Sequence, residues 1–201
     1  MRTRNLCRIA FVLLAAFSIA SCRKDDGETV SEADANRALF EMKKDYVGEL
    51  KYGLKDEGTR QTLEGVVVRS AEELLISIPL GPIADQVKDE TVARQLRAWK
   101  TAKIRASCRF NRVEQDYYSF DLRTEMVPDE RFSKPLTRTS VMKYGGLHLQ
   151  FNQNHTGNYQ KVGEALTFNV CVDNVFIDSE PLDGFKPVIF TYGGNAYKIG
   201  E

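Results

Sequence analysis

Two histidines and a short acidic segment are the side chains of this chain with the most obvious capacity for chemistry. His148 alternates with apolar residues in a predicted strand, and His155 lies in a predicted loop. Neither has a cysteine or carboxylate at metal-ligand spacing, so we expect both to be solvated surface histidines. The acidic segment comprises Asp173, Asp178, Glu180 and Asp183. Because its spacing differs from that of a calcium-binding loop, we expect it to be solvated as well.

The sequence carries none of the common catalytic motifs. It contains no Gly-x-Ser-x-Gly, no Walker loop, no Gly-x-Gly-x-x-Gly, no His-Glu-x-x-His and no Cys-x-x-Cys. A hydrolase that uses paired acids is the least favoured hypothesis, because such pairs look like ordinary surface charge in a sequence. We therefore predict no catalytic residues, no metal and no cofactor.

Cys22 is the residue for which the sequence predicts a specific modification. It follows Ile19-Ala20-Ser21, and this order of one aliphatic residue, two small residues and cysteine resembles the bacterial lipobox. Small residues fit an extended chain into a peptidase cleft, and the thiolate forms a thioether to diacylglycerol. The alternative is a soluble secreted protein with a chance cysteine near its cleavage site. We predict Cys22 as the lipid attachment residue.

Residues 1–21 have the composition of a secretory signal peptide. Arg2, Arg4 and Arg8 give a positive start, and residues 9–20 form an apolar run of twelve residues. A helix needs ~20 apolar residues to span a bilayer, so this run is too short for a stable anchor. We predict removal of residues 1–21, with residues 22–30 as a lipidated polar tether.

Charged residues follow Cys22 directly. Lys24, Asp25 and Asp26 resemble the export signal of Bacteroidota surface lipoproteins, in which a lysine precedes two acids. A solvated tether would have the same composition and is the alternative. The prediction is an outer-membrane protein held by its lipid anchor and exposed at the cell surface.

The charge balance argues against a nucleic-acid partner. The chain has 28 Lys and Arg against 28 Asp and Glu, and removal of residues 1–21 leaves a net charge of −3. Residues 94–112 are locally basic, which would suit acidic glycans, lipopolysaccharide or nucleic acid. Acids follow closely, so we favour a mixed, self-neutralising surface.

Alternating apolar residues predict one mainly β domain over residues 31–201. We expect a helix near residues 31–44, with Ser31 as N-cap, and one interrupted or two short helices over residues 82–100, with Asp89 as a cap for the second. Eight or nine short segments with alternating apolar residues are expected to be strands, with hairpin turns at Gly145-Gly146 and at Gly193-Gly194. The fold class is an antiparallel β-barrel or a sandwich with short helices.

Cys108 and Cys171 are the cysteines within this domain. Export to an oxidising compartment favours a disulfide between them, but the alternation of side chains between the two faces of each strand argues against it. Cys108 shares the inward face of its strand with Phe110, whereas Cys171 shares an outward face with Asn169. Opposite faces do not bring the two sulfur atoms together. We expect Cys108 to be buried and inert, and Cys171 to be free and more reactive.

The chain resembles the calycin-like small lipoproteins of Bacteroidota, a family of unknown function. The likeness is carried by Cys22, Tyr46-x-Gly48-x-Leu50, the run LISIPL at 75–80 that leads to Ile83, and LTFNV at 166–170. The resemblance implies a barrel and a location but no reaction or ligand. We expect a non-catalytic binding module for a small apolar molecule, a glycan or a peptide. The alternative is an accessory subunit of an outer-membrane complex.

Overall fold

The computed structural model describes residues 30–58, 60–136 and 145–197, most of which lie in β-strands. The strands are β1 (Asp45–Leu54), β2 (Gln61–Ser70), β3 (Leu74–Pro79), β4 (Thr101–Val113), β5 (Tyr117–Met126), β6 (Leu147–Phe151), β7 (His155–Gln160), β8 (Ala165–Ile177), β9 (Glu180–Pro181) and β10 (Val188–Ala196). The helices are α1 (Glu32–Glu41), α2 (Gly81–Ala84) and α3 (Glu90–Trp99), and a single 3₁₀ turn covers Glu130–Ser133. The prediction of a mainly β fold with short helices is confirmed.

Eight of these strands form a closed antiparallel barrel. They follow the order β10–β1–β2–β3–β4–β5–β7–β8, and β8 pairs with β10 to close the ring. Strands β6 and β9 stand outside the ring and pair with the last part of β8. Of the two predicted architectures, barrel and sandwich, the barrel is therefore the one observed.

The predicted hairpin at Gly193-Gly194 is wrong, because β10 runs straight through both glycines. Gly194 lies opposite Gly48 of β1, and Gly193 lies opposite Glu49. A Cβ atom on Gly48 would collide with the Gly193 carbonyl and the Gly194 backbone. The glycines thus serve close approach of two backbones beside a bulge in β2, not a turn. The other predicted hairpin places its first strand on residues that include 137–144, outside the described residues.

Side chains fill the interior of the barrel. The large aromatic residues with less than 2% exposure are Tyr46, Tyr118, Tyr159, Tyr192, Phe120 and Phe190. The rings of Tyr118 and Tyr159 lie 5.6 Å apart, and Tyr46 meets Tyr159 edge-on at 6.3 Å. An eight-stranded barrel can hold a small ligand or be filled by its own side chains, and the dense packing observed favours the second arrangement.

The barrel has two ends, which we call the near end and the far end. The near end is formed by the start of β1, the β4–β5 and β7–β8 turns and the end of β10, with α1 packed against it. The far end is formed by the β1–β2 hairpin, α2, α3, β6 and β9. Antiparallel pairing all round the ring puts these elements at opposite ends.

The helix caps agree with the sequence pattern. The Ser31 hydroxyl accepts a hydrogen bond from the Asp34 N–H at 3.1 Å, and Asp89 accepts from the N–H groups of Thr91 and Val92. Helix α1 ends slightly earlier than predicted, and residues 82–100 contain two helices. Within the described ranges, no helix has the length and apolar character needed to cross a membrane.

Candidate functional site

The predicted lipid attachment and export residues Cys22, Lys24, Asp25 and Asp26 lie outside the described residues. Their roles therefore stay predictions. The described residues begin at residue 30, just before the N-cap of α1, and α1 packs against the near end.

A pocket of about 520 Å³ opens at the far end, outside the barrel ring. It is lined by Gly145, Gly146, Leu147, His148, Gln150, Phe176 and Ser179. The lining brings an imidazole, an amide and a hydroxyl beside an aromatic ring, and the centres of the His148 and Phe176 rings lie 6.0 Å apart. Such a set offers hydrogen bonds and an apolar surface to the same ligand.

Asp178 holds the backbone at the edge of this pocket. Its side chain is only 4% exposed, and Oδ1 accepts hydrogen bonds from the N–H groups of Leu136 at 2.8 Å and Gly146 at 2.7 Å. The Asp178 N–H donates to the Gly146 carbonyl at 2.7 Å. Its φ of 52° lies in the left-handed region, which Asp tolerates better than most residues. The prediction of a solvated acidic segment is therefore wrong for Asp178, although Glu180 and Asp183 are exposed.

A polar cluster, which we call the latch, holds α1 at the near end. The latch consists of Glu41, Lys44, Tyr118, Lys161 and Glu164. The Tyr118 hydroxyl donates to Glu41, and the Lys161 Nζ atom lies 2.8 Å from Glu41 Oε2. The same ammonium lies 5.0 Å from the centre of the Tyr118 ring. Lys44 forms an ion pair with Glu164, which gives the end of α1 a second attachment to the barrel.

Hydrogen bonds within the latch shift the pKa values of its members. The bond from Lys161, followed by that from Tyr118, lowers the pKa of Glu41. The bond to Glu41 raises the pKa of Lys161. Burial is the largest single influence and acts to lower the pKa of Lys44, but the hydrogen bonds and electrostatic interactions with Glu164 and Tyr159 together outweigh it, and the pKa is raised. Both lysines and Glu41 are thus held in their charged forms, which suits attachment of α1 better than proton transfer.

Cys108 and Cys171 are both free thiols, as strand phase predicts. The expected high reactivity of Cys171 is wrong, because its side chain is fully buried even though it is out of phase with the inward residues. Burial, then a hydrogen bond to Asp173 at 3.3 Å, raises the pKa of the Cys171 thiol to about 12. Cys108 is partly exposed, not fully buried as predicted, but it packs against the core, and desolvation there raises the pKa of its thiol to about 12. Neither thiol has the lowered pKa of a nucleophilic cysteine.

The two histidines have different environments. His148 is exposed, as predicted, and lines the far-end pocket. His155 begins β7 instead of lying in a loop, and its Nε2 atom is buried with no hydrogen-bond partner among the described residues. Burial lowers the pKa of His155. The described ranges hold no group of three or more His, Cys, Asp or Glu side chains suited to a metal ion.

The basic residues of 94–112 are interleaved with acids in the fold. Ion pairs join Arg97 to Asp85 at 2.9 Å, Arg105 to Glu125 at 2.5 Å and Arg112 to Glu114 at 3.5 Å. The prediction of a mixed surface is confirmed by these pairs. They lower the attraction of this segment for a polyanion.

Comparison with protein-family models, with curated proteins and with solved structures finds no match for this chain. The resemblance to calycin-like small lipoproteins therefore stays a prediction.

Proposed function

We propose that the protein is a lipid-anchored binding module, attached to the outer membrane through Cys22 and exposed at the cell surface. The pattern of residues 1–21, the lipobox and the charges that follow Cys22 support this attachment. The far-end pocket is the observation that carries the binding role. It lies at the opposite end of the barrel from α1, the first described element after the tether.

The chemistry of the pocket favours a glycan or a peptide over a small apolar molecule. His148, Gln150 and Ser179 supply polar groups, and Phe176 supplies an apolar surface. A purely apolar ligand would suit the interior of the barrel, but side chains occupy that space.

We propose a non-catalytic role, because the thiols and the charged groups of the latch are suited to holding the structure and not to catalysis. The thiols have raised pKa values, and Glu41 and its partners are engaged in holding α1. The pocket itself offers hydrogen-bonding groups and an aromatic ring, which suit binding.

Replacement of Cys22 tests the anchor. We expect Cys22→Ala to abolish labelling by a fatty-acid probe and to release the protein from the membrane fraction. Unchanged labelling and retention would contradict the proposed attachment. Added protease should remove the wild-type protein from intact cells, and full protection until lysis would contradict surface exposure.

A second experiment tests the pocket. Purified protein is screened by thermal shift against a panel of soluble oligosaccharides and a peptide library. We expect His148→Ala and Gln150→Ala to weaken any stabilising hit, while Gln115→Ala, in the exposed β4–β5 turn of the near end, leaves it unchanged. Equal binding by all three variants would show that the ligand binds elsewhere.

An accessory subunit is the second candidate, because the barrel wall exposes apolar residues on adjacent strands. Val67 of β2 is 50% exposed and Leu75 of β3, opposite Arg69, is 38% exposed. Cross-linked complexes that disappear in Val67→Ser but persist in Gln150→Ala would favour this role over ligand binding.

A further inference from the structure

Three strongly exposed apolar side chains lie at the near end. Val162 is 78% exposed, Phe40 is 74% exposed and Tyr197 is 61% exposed, which are the highest values for large apolar residues in the described chain. Single exposed apolar residues are ordinary on a protein surface. A group of them on one face marks an interaction site.

Backbone contacts place the three residues close together at the near end. Phe40 lines a groove of about 440 Å³ together with Lys161 and Glu164. Val162 lies in the turn between those two residues, which is closed by the Glu164 N–H donating to the Lys161 carbonyl at 3.1 Å. The residue before Tyr197 donates its N–H to the Glu164 carbonyl at 3.0 Å, so Tyr197 follows directly beside the same turn.

Phe40 does not take part in the packing of α1. The helix buries Ala38 fully and packs Ala35 and Leu39 partly against the core, at the three- and four-residue spacing of an amphipathic helix. Phe40 lies off this stripe, and its exposed aromatic ring contributes little to the packing of α1 on the barrel.

The charges on this face are compatible with lipid headgroups. Lys161 and Lys44 neutralise Glu41 and Glu164, while the exposed Lys43 and the exposed Asp116, whose carbonyl accepts from the Lys161 N–H, carry opposite charges that balance each other. Lysine stems extend along apolar material while their ammonium groups reach phosphate and water. Aromatic rings with a polar edge, such as that of Tyr, are favoured at the same depth.

We propose that the near-end face, formed by Phe40, Lys43, Val162 and Tyr197, lies on the lipid surface of the membrane that carries the anchor. This inference rests on the proposed attachment through Cys22. Ser31 follows Cys22 by nine residues, which can span at most about 30 Å, so the domain stays close to the bilayer. Docking in this orientation turns the far-end pocket away from the membrane.

Fluorescence quenching in vesicles tests this orientation. The full-length lipidated protein is reconstituted into vesicles of phosphatidylcholine and phosphatidylglycerol that contain a doxyl-labelled lipid. Phe40→Trp and Val162→Trp place a probe in the near-end face, and Asp56→Trp, at an exposed position of the far-end β1–β2 hairpin, is the matched control. The native Trp99, at the far end, supplies a background measured in the unmodified chain. We expect the near-end probes to be quenched roughly twofold more than the control.

The outcomes separate docking from anchoring. Equal quenching of the three probes, in protein that still floats with the vesicles, would overturn docking and leave the anchor intact. Flotation of Cys22→Ala to the wild-type extent would overturn the anchor instead. If a second copy of the chain covers the face instead, the near-end probes will not be quenched more than the control. Cross-linked dimers will form and will be lost in Phe40→Ser, and docking is again overturned.

Discussion

The two ends of the barrel are secured by different chemistry. At the near end, the charged side chains of the latch are each about one-third exposed, so water competes for their bonds. At the far end, Asp178 is almost fully buried and accepts hydrogen bonds from two backbone N–H groups that would otherwise lack a partner there. We therefore expect the far end to be held more strongly than the near end.

This difference fits the two roles that we propose. A binding pocket gains affinity when its wall is already in the bound conformation, because less conformational entropy is lost on binding. A face that rests on fluid lipid needs no such precision. Substitutions and chemical labelling at each end test this contrast, and we expect the largest effect in thiol reactivity.

Thiol reactivity reports on the packing of the barrel wall toward each end, because α1 packs on the strand of Cys108 and the far-end hairpin lies near Cys171, and we expect similar protection of both thiols. With both pKa values near 12, alkylation at neutral pH should be roughly a thousandfold slower in the native protein than in the unfolded chain. Mass spectrometry after alkylation measures this ratio. Denaturation without reductant should then expose the thiols of both Cys108 and Cys171, and exposure of neither would reveal a disulfide. Rapid native labelling of Cys171 would contradict its burial.

Asp178→Ala should destabilise the domain by about 3–5 kcal/mol, because it leaves two buried N–H groups without an acceptor. Asp178→Asn should cost about 1–2 kcal/mol, since its carbonyl can still accept and Asn tolerates a positive φ. Asp183→Ala, at an exposed position of the same segment, is the control. Urea denaturation gives the three free energies of unfolding. A loss in Asp178→Ala no larger than in the control would remove the proposed strength of the far end.

Glu41→Gln should destabilise the domain by only about 1 kcal/mol, because the ion pair that it removes is partly solvated. Tyr118→Phe, which removes one hydrogen bond from the latch, should have a similar effect of about 1 kcal/mol. Glu32→Gln, in the first turn of the same helix, controls for the loss of charge. If Glu41→Gln proved as damaging as Asp178→Ala in the same urea assay, the contrast between the two ends would be wrong.

The smallest effect is a dependence on acid pH at the near end. The folded pKa of Glu41 lies below its ordinary value of 4.5, so the unfolded chain binds more protons as the pH falls. Its contribution to stability is therefore present above pH 4.5 and is lost as the pH falls through the lowered pKa. The stability difference between wild type and Glu41→Gln should be constant above that pH and shrink below it. A difference that does not change with pH would show that Glu41 adds no electrostatic stabilisation.

Much of the fold could be predicted where a strand has one face in the core. Leu74, Ile76 and Ile78 alternate along β3, and all three are buried as their spacing predicts. The hairpin predicted at Gly193-Gly194 is wrong for a clear reason. Two glycines between apolar residues are compatible either with a turn or with close approach of two strands. Only the position of Gly48 on the neighbouring strand distinguishes the two.

The candidate site was harder to predict, since its main residue acts at long range. Asp178 stands among other acids and has the sequence context of a solvated loop, yet its backbone partners Leu136 and Gly146 are 42 and 32 residues away. No local pattern identifies such partners. His148 could be named as a candidate from its residue type, but the aromatic ring beside it in the pocket could not.

The sequence by itself determined the inward face of most strands, the helix caps and the balance of charge, because each depends on neighbours within a few residues. The tertiary structure decided the closure of the barrel through β8 and β10, the burial of Cys171 and the exposure of Phe40. Alternation states which way a side chain points, but what covers it depends on elements that are distant in the chain. The outward Cys171 is buried and the helical Phe40 is exposed for that reason.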